Sequence, residues 1–198
     1  MKFSTKAVAL LSLAARVLGS DIPADGHEEP IAWEVEVRPD EKVTLPGTVQ
    51  EVRAQLLERN PDWDTTVAPV LAAREAATSI RSRINRRDGD YFPVIQCGVG
   101  QAADIQAYLE NHIKYLSSLK GKPINGPGGC GRVSCQHSVG VWWCNEHKKN
   151  PLELNSWKAL SDGLAALRGS CIKEGSGAAG SLSGYRVIIA GADCGKKG

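Results

Sequence analysis

The first 96 residues contain no cysteine, and all six cysteines fall in the last 102. Any disulfide framework is therefore confined to the C-terminal half. No apolar run approaches the roughly 20 residues that a membrane-spanning helix needs, so no transmembrane segment is expected. No Asn-x-Ser/Thr sequence occurs, which excludes ordinary N-glycosylation. There is no G-x-S-x-G nucleophile motif. Large net charge is also missing. The formal value is +2, which points to neither a nucleic-acid partner nor an anionic membrane surface.

What is present is unevenly distributed. Residues 21–87 carry 13 acidic and 9 basic side chains, a net of −4, whereas residues 88–198 carry 9 acidic and 12 basic, a net of +3. Opposite signs suit two separate units. At the N-terminus, Lys2 and Lys6 precede a nine-residue apolar run, AVALLSLAA. Small residues follow at Ala14, Ala15, Gly19 and Ser20. This pattern predicts a signal peptide over residues 1–19. An even cysteine number in a short secreted segment then reads as three disulfides among Cys97, Cys130, Cys135, Cys144, Cys171 and Cys194. Their pairing is not legible. A hairpin turning on Val139-Gly140 would place Cys135 opposite Cys144.

Residues 20–87 read as a pro-segment. Residues 31–39 alternate weakly and predict one strand. Val49, Val52, Leu56 and Leu57 have helical spacing, and the Ala-rich residues 67–84 predict a second helix. Large apolar residues are too sparse for an independent core. The segment ends in Arg86-Arg87, a dibasic pair suited to processing proteases of the furin and kexin class. Removal there would leave residues 88–198 as the mature domain.

That domain has a regular pattern. Residues 91–96 predict a strand, 102–119 an amphipathic helix, and 120–129 a loop rich in Gly and Pro. Residues 132–135 and 141–145 predict a hairpin, residues 153–170 a second helix, 175–184 a Gly/Ser/Ala loop, and 185–190 a last strand. The order β-α-β-β-α-β predicts an α+β, split-βαβ (ferredoxin-like) sandwich, stapled by disulfides. Four antiparallel strands would carry both helices on one face.

Several residue patterns imitate chemistry. Gly98-x-Gly100-x-x-Ala103 between a strand and a helix resembles a dinucleotide-binding turn. About 110 residues with no second parallel βα unit cannot build that fold, so no cofactor is expected. Cys130, Cys135, Cys144 and His147 have zinc-like spacing, but an oxidising path favours disulfides, so no metal is expected. His112, His137 and His147 stand beside no nucleophile motif, and carboxylate pairs such as Asp104 with Glu110 or Glu146 with Glu153 carry no positional signal. No catalytic set is legible. Trp142 and Trp143 are adjacent, so on a strand one ring faces each side. The outward ring, with Lys148 and Lys149, forms the candidate binding surface. The pairs Lys148-Lys149 and Lys196-Lys197 otherwise read as solvated charge.

The run Pro127-Gly-Gly-Cys-Gly-Arg-Val-Ser-Cys135, the aromatic pair before Cys144-Asn145, and Gly191-Ala-Asp-Cys194 resemble a family of cysteine-rich secreted proteins of filamentous fungi. The stretch from Pro46 to Trp63, followed by a dibasic site, is similar to that family too. At the level of element order, the chain resembles the α/β-sandwich killer toxins and related virulence effectors of fungi. The resemblance carries no established chemistry with it; small size, dense cross-linking, a removable pro-segment and the missing catalytic set favour an extracellular, effector- or toxin-like protein, monomeric, that binds a host or competitor protein or cell-surface component without catalysis. The rival readings are an enzyme inhibitor working through the loop at 120–129, a small secreted enzyme, and an antimicrobial or cell-wall-binding protein.

Overall fold

In the computed structural model, residues 30–71, 73, 74 and 91–195 are described. The expected signal peptide, the dibasic pair Arg86-Arg87, and Lys196-Lys197 lie outside them, as does most of the second helix expected at 67–84.

The chain is mixed α/β, with two antiparallel sheets. Strand β1 (Ala32–Arg38) and strand β2 (Glu41–Pro46) form a hairpin, with Asp40 at φ 64° in its turn. Helix α1 (Val49–Arg59) follows. Its N-terminus carries a reciprocal cap, in which the Glu51 carboxylate accepts from the Thr48 amide and the Glu51 amide donates to the Thr48 hydroxyl. Val49, Val52 and Leu56 are buried, as their spacing implies. A short helix α2 (Trp63–Thr66) follows.

The cysteine-bearing half supplies strand β3 (Val94–Cys97), helix α3 (Ile105–Ser118), strands β4 (Pro123–Asn125), β5 (Cys130–Gln136), β6 (Val139–Asn145) and β7 (Leu152–Glu153), helix α4 (Lys158–Leu167), and strands β8 (Gly177–Ser181) and β9 (Tyr185–Gly191). Strands β5 and β6 turn on His137 and Ser138, both at positive φ, the two-residue hairpin geometry that matches strand twist. The expected helices, hairpin and last strand are all present.

The topology differs from the expected sandwich. One sheet has the order β3-β8-β9-β6-β5. A split-βαβ sheet would place β3 at its centre, beside β6. Here β8 pairs with both β9 and β3, and so moves β3 to the edge. Strand β8 is the stretch 177–181 expected to be loop. Its small residues allow this position, because a methyl group at Gly177 would stand 2.7 Å from Cys171 Cβ. Both helices do pack on one face of this sheet, against Val141, Trp143, Val187 and Ile189.

The second sheet, β2-β1-β4-β7, was not expected at all. It joins the two halves of the chain: Ala32 pairs with Ile124 and Trp33 with Pro123. Trp33 stacks on Trp157 at 3.8 Å between ring centroids, and its indole N–H donates to the Gly47 carbonyl at 2.7 Å. The segment 30–74 thus has no core of its own, as its composition implied. It shares one apolar cluster with the disulfide half, in which Ile31, Trp33, Val52 and Leu56 lie with Leu116, Val133 and Trp157.

All six cysteines are bonded, as Cys97–Cys171, Cys130–Cys144 and Cys135–Cys194. The Cys135–Cys144 possibility fails on register. Cys130 stands opposite Cys144, while Cys135 faces Gly140.

Candidate binding cleft at the seam of the two halves

The surface expected around the tryptophan pair does not form. Trp142 and Trp143 do face opposite sides of β6, but they are 3% and 0% exposed. Trp143 lies under the helices. Trp142 belongs to a small second cluster with Ala178, Ile188 and Ala190, flanked by Val99 and Ala192. Its ring lies over Gly140, where a methyl group would stand 2.5 Å from it. Lys148 and Lys149 are exposed on the loop after β6, so no aromatic anchor joins them.

The other sequence candidates are also separated. The His137 ring stacks on Tyr108, while the His147 ring is 3.1 Å from the Ser183 carbonyl. Glu110 pairs with Arg168, Glu146 with Arg186 and Glu153 with Lys122, so the imagined carboxylate pairs are each engaged elsewhere. The turn at Gly98 and Gly100 packs on the 175–176 strand entry, with the Gly98 amide donating to Ser176 and the Ala103 amide to Gly175. Helix α3 is capped by the Asp104 carboxylate, which would repel a phosphate there.

The structure instead presents a cleft of about 720 Å³ where the two halves meet. Trp33, Val49, Val52, Leu56 and Trp63 line it from one half, and Tyr115, Leu119 and Ile124 from the other. Size and apolar lining are those of a ligand site. The Trp63 indole N–H donates to the Glu36 carbonyl at 2.7 Å, which fixes that wall. The rim charges neutralise one another: Lys42 pairs with Glu34, Arg53 with Asp64, Arg74 with Glu36 and Lys122 with Glu153. Burial pushes the Tyr115 phenol pKa up, against the nearby Arg53 charge. The cleft therefore offers a mainly neutral, aromatic-walled surface.

A buried polar chain crosses the same seam. Gln50 of α1 donates to the Ser134 hydroxyl at 3.1 Å, and that hydroxyl lies 3.3 Å from His112 Nδ1. Ser134 and His112 are 0% and 2% exposed. Burial lowers the His112 pKa to about 4, so its ring is neutral near pH 7. Sequence spacing gave no hint of this Ser–His contact, because 22 residues separate the pair and strand register alone brings them together. Nucleophilic use would require solvent access and an orienting acid. Among the described residues no carboxylate pairs with the His112 ring. The pair forms a buried polar link between β5, α3 and α1, in which Gln50 Oε1 and His112 Nε2 have no hydrogen-bond partner among the described residues. Beside it, the Arg132 guanidinium donates to the Asp193 carbonyl at 3.0 Å, next to the Cys135–Cys194 bond.

Among the described residues, no helix is long and apolar enough to cross a membrane, and no group of His, Cys, Asp and Glu has metal-site geometry. No family model matches the chain, and neither a curated protein nor a solved structure shows significant similarity to it.

Proposed function

We propose that this is a secreted, non-catalytic binding protein of the effector or toxin type, and that it holds an apolar part of a host or competitor molecule in the seam cleft. The cleft is the observation that carries this reading. Apolar surface withdrawn from water there supplies affinity without help from charge, and four ion pairs along the rim engage most of its charged side chains. Three disulfides brace the five-stranded sheet on which α3, one wall of the cleft, is packed, and a rigid support lowers the ordering cost of docking. They also suit an oxidising, extracellular setting.

The test places charge on the half-buried lining. Leu119→Glu and Val35→Glu should each weaken binding of a neutral fluorescent apolar probe by at least about tenfold, and reduce toxicity toward target cells in parallel. The six cysteines should stay bonded and secretion should be unchanged. Unaltered probe binding and toxicity in both variants would contradict the cleft reading. The Ser134–His112 contact favours an enzyme as the second reading. Loss of activity in Ser134→Ala with probe binding intact would support it.

A further inference from the structure

We propose that residues 30–74 stay in the folded protein after any cut between Arg74 and Tyr91, so that processing at Arg86-Arg87 yields two noncovalently joined chains rather than a freed disulfide domain. This inference stands independently of what the cleft binds.

The segment has no covalent tie to the rest other than the chain itself. Its first possible cross-link would need Cys97, and that residue is bonded to Cys171. What holds it is therefore packing and hydrogen bonding. Strand β1 is one of the two inner strands of its sheet, with β2 on one side and β4 on the other. Taking β1 away leaves only the three residues of β4 and the two of β7, too short to persist as a sheet. The same removal strips the Trp33 ring from Trp157, which is 1% exposed in the intact fold. It removes Val49, Val52 and Leu56 from the shared apolar cluster. It also takes Gln50 from the Ser134 hydroxyl and opens the buried His112 side chain to water.

The disulfide half alone would therefore expose a large apolar face that has an obvious occupant, the segment already seated on it. Charge favours the same occupant, since residues 30–74 carry 8 acidic and 5 basic side chains, a net of −3, against 7 acidic and 10 basic, a net of +3, in residues 91–195. None of the three disulfides includes a residue of 30–74, so none ties that segment down, although the Cys135–Cys194 bond lies beside Thr48 and Gln50. They tie β3 to the end of α4, β5 to β6, and β5 to the C-terminal residues after β9. The cleft also survives only in the joined form, because each half contributes one wall.

The experiment uses the full secreted chain, with residues 82–88 replaced by the recognition sequence of a site-specific protease flanked by Gly and Ser. Cutting is confirmed by denaturing mass spectrometry without reductant, which should resolve two separate fragments. Native mass spectrometry and size exclusion of the same cut sample should return the uncut mass. Trp33→Ala should leave the uncut protein assembled but let the cut protein lose its N-terminal fragment at least about tenfold more readily. Recovery of the N-terminal fragment in low-mass fractions from the cut Trp33-containing protein would overturn the proposal, whether or not the disulfide half stays soluble. In that case residues 30–74 are a removable cap over Ser134 and His112.

Discussion

His112 is where burial of one residue has the clearest thermodynamic consequence. Burial lowers its pKa to about 4 from an ordinary value of 6.5, opposed by the Val139 backbone and reinforced by the His137 charge. The unfolded chain therefore takes up a proton at a pH where the folded chain does not. Stability from this group is complete above about pH 6.5, falls as pH drops toward 4, and changes no further below that. A shift of this size is worth on the order of 3 kcal/mol. Urea unfolding at pH 7.5 and pH 4.5 should show the decrease, and His112→Asn should remove most of that difference. NMR titration of the folded protein should find the His112 imidazole still neutral at pH 5. Protonation of the His112 ring near pH 6.5 would contradict this placement. Trp142 shows how far a single residue can be read from sequence. Strand alternation correctly separates it from Trp143, but its burial depends on Gly140 beneath the ring and on Val99 and Ala192 beside it, none of which alternation specifies.

At the scale of elements, periodic apolar spacing revealed α1, α3 and α4, because each lays one regular face on the core, whereas β6 and β9, buried on both faces, showed as short apolar runs bounded by turn residues. Strand β8 escaped notice for a physical reason. Its residues, GAAGS, have turn-like composition, and they are small because the strand passes tightly beside Cys171 and Val94. Strand β4 was hidden inside a Pro- and Gly-rich loop, since three residues carry no period. The Ser134–His112 contact depends on the β5 register, which shifts between Arg132 and Ser134. The disulfides connect elements over very different spans, and loop length ranks their expected contributions. Cys97–Cys171 spans 74 residues and Cys130–Cys144 spans 14. Replacing both cysteines by alanine should cost about 4 kcal/mol for the first bond and about 3 kcal/mol for the second, by loss of constraint on the unfolded chain. Urea midpoints of the two double variants should fall in that order. The reverse order would show that β3 and α4 gain little from being joined.

For the whole molecule, the described residues 30–71 of the segment read from sequence as a pro-segment are built into the fold. That segment's lack of an independent core was legible in the sparse large apolar residues of 20–87. The partner that completes that core was not, because the β1–β4 pairing joins residues about 90 positions apart and leaves no local pattern. The seam cleft is a product of the same long-range pairing, and so was equally invisible. Both the binding reading and the two-chain proposal depend on residues 30–74 and 91–195 unfolding as one cooperative unit. Amide hydrogen exchange on the intact chain measures this directly. The account predicts that the amides of Trp33 and Val35 in β1 and Val52 in α1 exchange through the same global opening as those of Val141 in β6 and Ile188 in β9, with the same denaturant dependence. Free exchange of β1 and α1 while β6 and β9 stay protected would show that the N-terminal segment is only loosely attached, and would contradict the account.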